Sequence, residues 1–123
     1  KNLHKTFVDI FYDKAKKGII YDNKKNYKDF LSIQKFCEII NMIIRKDLRG
    51  TFNVSIGKKV FLNDLIKWLN NFNKKKFKII NYNKTSGGNF YLNNRKLMSK
   101  IKITNDLESL KKDSLNLSKK LFR

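Results

Sequence analysis

Twenty-five lysines and five tyrosines share this 123-residue chain, and two pairs fall in the pattern Tyr-x-x-x-Lys: Tyr12 with Lys16, and Tyr21 with Lys25. On a helix that spacing puts an ammonium one turn from a phenol, where the cation favours the phenolate and makes tyrosine an acid–base group. With lysine at about one position in five, about one such match is expected by chance, so neither pair is counted as catalytic. Tyr12 instead falls beside a lysine-rich last helical turn, and Tyr21 ends a strand. His4 is the single histidine, near the N-terminus, and no Asp–Ser or Cys partner is placed for it, so neither a triad nor a metal site is expected. Cys37, the single cysteine, excludes an intrachain disulfide and a cysteine zinc cage, and reads as a small core residue rather than a nucleophile. The five glycines, at 18, 50, 57, 87 and 88, fit neither a dinucleotide fingerprint nor a phosphate loop.

The elements that would position any site follow from apolar spacing. Leu3, Phe7, Val8, Ile10 and Phe11 recur at helical intervals, with Lys14, Lys16 and Lys17 at the negative end before Gly18. Gly18 to Tyr21 predicts a short strand, 22–26 a polar turn, and Tyr27 to Leu31 a second extended piece. After Ser32 as N-cap, Ile33, Phe36, Cys37, Ile40, Ile43 and Ile44 form one apolar stripe, which predicts a helix ending near Arg45 and Lys46 with Cys37 in the core. Thr51 to Ser55 alternates as a strand does, and Leu62, Leu65, Ile66, Trp68 and Leu69 predict a helix. A basic connector over 70–76 precedes a strand over Phe77 to Tyr82 and a glycine-containing loop over 83–89. Phe90 to Asn93 reads as extended, Arg95 to Ile101 as a short helix, and Leu107, Leu110, Leu117 and Leu121 as a terminal helix with Asn105 and Glu108 at capping-box spacing. No 20–50-residue repeat is present. The order predicts an α/β lobe with too few strand–helix–strand units for an independent doubly wound sheet.

Twenty-nine basic against ten acidic residues give a net charge of +19, while 41% hydrophobic and 13% aromatic residues suffice for one core. Lys, Asn, Ile and Phe fill 65 of 123 positions, with one alanine, four arginines and no proline, a skew toward A/T-rich codons that weakens the charge as evidence for nucleic acid. Lys58-Lys59 and Lys74-Lys75-Lys76 lie near aromatic residues, so a nucleic-acid-binding module is the alternative function. Against it, lysines are spread over every element and arginine, the residue that reads bases, is scarce. Every apolar run is too short to span a membrane, no signal peptide is visible, and cysteine usage fits the cytoplasm. The chain starts at Lys1, which reads as the start of a C-terminal piece of something longer.

Several segments in fixed order then carry a resemblance. Gly18-Ile19-Ile20-Tyr21, Tyr27-Lys28-Asp29-Phe30-Leu31 and the helix from Ile33 resemble the "G-x-x-I … R-D-F-V-H-V-D-D" region of the NAD-dependent epimerase/dehydratase family, the extended short-chain dehydrogenases acting on nucleotide sugars. Gly50-Thr51-Phe52-Asn53-Val54-Ser55-Ile56-Gly57 is similar to that family's "G-x-Y-N-V-G-x-G" turn, and Phe61 to Ile66 to its "S-x-x-E-L" helix start with Asp64 in the acidic position. Phe90 to Leu97 is similar to its "D-x-S-K-L" segment. The chain departs from the pattern at Lys28 for arginine, Ser32 for His or Tyr, Gln34-Lys35 for paired acids, Ser55 for a turn glycine and Phe61 for Ser or Thr.

The resemblance implies that residues 1–123 are the C-terminal, substrate-binding portion of an NAD- or NADP-dependent epimerase, dehydratase or reductase. The cofactor-binding Rossmann half, with its glycine loop and true Tyr–Lys pair, would lie outside this chain, which would itself bind no cofactor and hold no catalytic residue. The implied partners are a nucleotide sugar, that missing half and a second copy in a homodimer; a non-catalytic remnant of the family is a further reading. Lys28 would contact the diphosphate, keeping the point charge of the family's arginine without its bidentate fork, a contact worth about 1.5–3 kcal/mol. Lys84 is the candidate second phosphate contact. Asn53 is the third candidate for substrate binding, and its place beside the turn favours bracing backbone. Severed from the other half, such a segment would expose apolar surface.

Overall fold

The computed structural model describes residues 4–81 and 88–123. The expectations placed on Leu3, Tyr82, Lys84 and Gly87 lie outside the described residues. The first helix, α1 (Phe7–Lys16), starts on a capping box: the Thr6 hydroxyl accepts from the Asp9 amide, and the Asp9 carboxylate accepts from the Thr6 amide at 2.9 Å. Lys14 and Lys16 sit at its negative end. Gly18 then turns the chain at φ 77°, a conformation that disfavours side chains, and its carbonyl accepts from the Lys78 amide. That bond starts a parallel pair between β1 (Ile19–Asp22) and β4 (Lys78–Asn81), with Ile20 opposite Ile79.

A second pair is antiparallel and only two residues long. It joins β2 (Tyr27–Lys28) to β3 (Val60–Phe61), with Tyr27 opposite Phe61 and Lys28 opposite Val60. Between them runs α2 (Ile33–Arg45), whose N-cap Ser32 accepts from the Lys35 amide and donates to Asp113. Beyond β3 come α3 (Leu62–Leu69), the single turn α4 (Arg95–Met98) and α5 (Leu107–Leu121). The capping box of α5 pairs Asp106 with Ser109, one residue later than the Asn105 and Glu108 pair that the sequence favoured.

Two apolar clusters result. The larger gathers Phe11 and Ala15 of α1, Ile20, Ile56, Val60, and Leu65, Ile66 and Leu69 of α3 against Leu110 of α5. Ser118 is fully buried on α5, and its hydroxyl accepts from the Phe72 amide. The smaller cluster joins Ile39 of α2 to Leu97 and Ile101, and Leu31 packs against both. The architecture is mixed α/β, as the element order implied.

Two expectations fail, each for a physical reason. Residues 51–55 form no strand, although Phe52 and Val54 do pack inward against the smaller cluster as alternation demands. Side chains take the place of a neighbouring strand: Lys96 donates to the Thr51 carbonyl, and Asn94 and Asn105 both donate to the Ser55 carbonyl at 2.9 Å. Residues 90–93 likewise form no strand. The second failure concerns α2, which turns Ile39, Met42 and Ile43 inward and leaves Ile33, Phe36, Cys37 and Ile44 exposed. Cys37 is therefore a surface thiol rather than a core residue.

Candidate functional site

The Tyr–Lys pattern at Tyr12 is a packing contact. The Lys16 ammonium lies 5.2 Å from the centre of the Tyr12 ring, so the cation sits over the aromatic face, a cation–π arrangement. His4 is exposed, and among the described residues no group of three metal-ligating side chains converges.

The polar geometry that does converge lies around β2 and the segment 88–94. Opposite Val60, which is buried, the half-buried Lys28 lays its stem along the ribbon and sends its ammonium outward to the Gly88 carbonyl at 2.9 Å. The same ammonium is 5.4 Å from the centre of the Phe90 ring. On the other face Tyr27 meets Phe61 edge-on at 5.7 Å, and Lys59 lies 4.9 Å over the Tyr27 ring. The Tyr27 amide donates to Asn89, so both β2 residues are tied to the start of this segment.

Asp29 organises the site, and the sequence reading assigned it no role. One carboxylate oxygen accepts from the Ile56 amide at 3.0 Å, and the other accepts from the Gly57 amide at 3.0 Å and the Leu92 amide at 3.1 Å. A single half-buried carboxylate thus clamps two separate chain segments next to Lys28. The signal available was an acidic residue beside the candidate cation, at the edge of an extended piece, in a chain with 29 basic and only ten acidic residues.

Asn53 is exposed and donates its amide to the Asn93 carbonyl at 2.8 Å, so its visible contact braces backbone. Gly57 adopts φ 70°, and a Cβ there would lie 2.5 Å from the Asn94 side-chain oxygen. The glycine lets Asn94 approach close enough to hold the Ser55 carbonyl. The structure therefore joins Lys28 to Gly88 and Phe90 and places Asn53 on the neighbouring turn, while Lys84 lies outside the described residues.

These residues do not fit a nicotinamide dinucleotide. The Gly57 amide that could face a phosphate is already committed to Asp29, and neither Gly18 nor Gly57 opens a helix whose N-terminus could take a pyrophosphate.

No protein-family profile and no curated protein sequence matches the chain. Solved structures do. The UDP-N-acetylglucosamine 4-epimerase of Methanobrevibacter ruminantium M1, in complex with UDP-N-acetylmuramic acid, superposes with a TM-score of 0.71 at 16% identity over 97% of this chain and 40% of its own. The UDP-N-acetylglucosamine 4-epimerase of Bacillus cereus superposes with a TM-score of 0.53 at 17% identity over 94% of this chain and 42% of its own. The chain therefore has the fold of part of such an epimerase and spans about two fifths of the length of those structures. Among the described residues no helix is long and apolar enough to cross a membrane.

Proposed function

We propose that this chain is the substrate-orienting portion of an enzyme acting on nucleotide sugars, with Lys28 as a contact to the substrate diphosphate. The observation that carries the proposal is the superposition at a TM-score of 0.71 on an epimerase in complex with a UDP-sugar, over 97% of the chain. Lys28 adds a chemical reason, because its ammonium already faces an oxygen of Gly88 and a diphosphate oxygen is a stronger acceptor for the same cation. Lys84 is proposed as a second cation on the same group. Asn53 is proposed to act near the substrate by holding the Asn93 backbone in place.

The chain's contribution is orientation. Binding energy gathered at the nucleotide end fixes the sugar carbon against a reacting centre carried elsewhere, which lowers the entropy cost of the chemical step. NAD or NADP would supply the hydride chemistry from a separate cofactor-binding half; the residues here hold neither the cofactor nor a catalytic acid. Asp29 serves the same end by fixing segments 56–57 and 92 beside Lys28.

Calorimetric titration of the product of the complete reading frame with UDP-sugars and with single-stranded DNA tests the proposal. It predicts saturable UDP-sugar binding that competes with free UDP. Absence of UDP-sugar binding, together with tight DNA binding whose affinity falls steeply with salt, would replace it with the nucleic-acid reading.

A further inference from the structure

We infer that the exposed apolar stripe of α2 is the seat on which the cofactor-binding half of the enzyme docks. The inference rests on the proposed function for the identity of that half. Ile33 is 66% exposed, Phe36 42% and Ile44 71%, and Cys37 is also exposed. At about 100° per residue, Ile33, Cys37, Ile40 and Ile44 fall on one arc, centred about 120–140° from the buried Ile39. Helix α2 is thus apolar on two adjoining faces, and only one of them is used by the two clusters of this chain. A contiguous apolar strip of this kind marks a surface that mates with protein.

Three observations select the occupant. The stripe is continuous at Ile33 with a groove of about 440 Å³ floored by Phe30, Leu65 and Leu110, so the apolar surface extends past the helix itself. Three fifths of the epimerase that superposes on this chain has no counterpart here, which supplies a protein body of the required size. A second copy of the chain is the poorer occupant: each copy carries +19, and the C-terminal end of the stripe is ringed by exposed Arg45 and Lys46. The occupant should therefore present an apolar patch with an acidic rim at the α2 C-terminus.

Cys37 lies inside the stripe and is the only cysteine in the 123 residues, which makes it a reporter. Its alkylation rate, followed by mass spectrometry of the peptide containing it, is compared between the 123-residue chain and the product of the complete reading frame. Docking predicts alkylation at least tenfold slower in the complete product. Ile44→Lys should restore the fast rate, as should Ile33→Gln, a second variant should the first disturb folding, and Lys28→Ala should leave the protection intact. Equal rates would overturn the inference, whether because the product carries no cofactor-binding half or because that half sits elsewhere. Protection already present in the 123-residue chain and growing with its concentration would overturn it in favour of a second copy. Protection without UDP-sugar binding would keep the docking surface and remove the substrate reading instead.

Discussion

Replacing Asp29 by alanine removes three hydrogen bonds at once, those from the amides of Ile56, Gly57 and Leu92. Hydrogen bonds to a charged group contribute about 1.5–3 kcal/mol each when buried; Asp29 is half-buried, and the freed amides recover part of the loss through water, so about 1 kcal/mol each is the working figure. The expected total is about 3 kcal/mol, a large share of the roughly 5–15 kcal/mol that holds a domain folded. With a urea slope of about 2 kcal/mol/M, the unfolding midpoint should fall by about 1.5 M at constant slope. Asp29→Asn keeps one carbonyl oxygen, which can serve the Gly57 and Leu92 amides while the amide nitrogen faces Ile56, and should cost about half as much. Amide hydrogen exchange gives the local readout: Ile56, Gly57 and Leu92 should lose protection in the alanine variant before the rest of the chain does. A midpoint within about 0.2 M of the parent, with those three amides still protected, would refute the clamp.

Three further predictions come from the same geometry. Gly57→Ala should destabilise by about 1–3 kcal/mol, and in an Asn94→Ala background the cost should shrink because the 2.5 Å conflict disappears; equal costs in the two backgrounds would place the strain in the backbone alone. Ile39→Ala should cost about 2–5 kcal/mol by leaving a cavity, whereas Ile44→Ala should change the stability of the 123-residue chain by less than about 0.5 kcal/mol, a contrast that reversed values would contradict. Asp9 is held below the ordinary carboxylate range by its hydrogen bonds to Thr6, so its contribution is complete above the ordinary value of 3.8 and is lost as pH falls through the lowered folded value; in pH-dependent denaturation, Thr6→Ala should flatten that acid limb.

How far the sequence reaches can be judged element by element. Helices α1, α3 and α5 were legible because their apolar spacing and end residues agree, and the Ser32 cap of α2 was legible for the same reason. The orientation of α2 was not, because its apolar residues cover more than one face and spacing alone cannot say which face meets this chain. The strand expected at 51–55 misled because alternation reports which side chains face inward, whereas a strand needs a backbone partner, and here that partner is a set of Asn and Lys side chains. Lys28 stood out as a lone cation in an extended piece. Asp29 did not, because its role exists only once residues 56, 57 and 92 are brought to it from 27 to 63 positions away.

The central claim is that Lys28 binds the diphosphate of a nucleotide sugar, and steady-state kinetics of Lys28→Ala against its parent, both made from the complete reading frame, test it most directly. A charge-assisted contact of about 1.5–3 kcal/mol corresponds to a loss of roughly 10- to 150-fold in kcat/KM. Lys28→Arg should retain most of the activity, since it keeps the charge and adds a fork. Unchanged KM and kcat/KM in Lys28→Ala for every nucleotide sugar turned over would contradict the account.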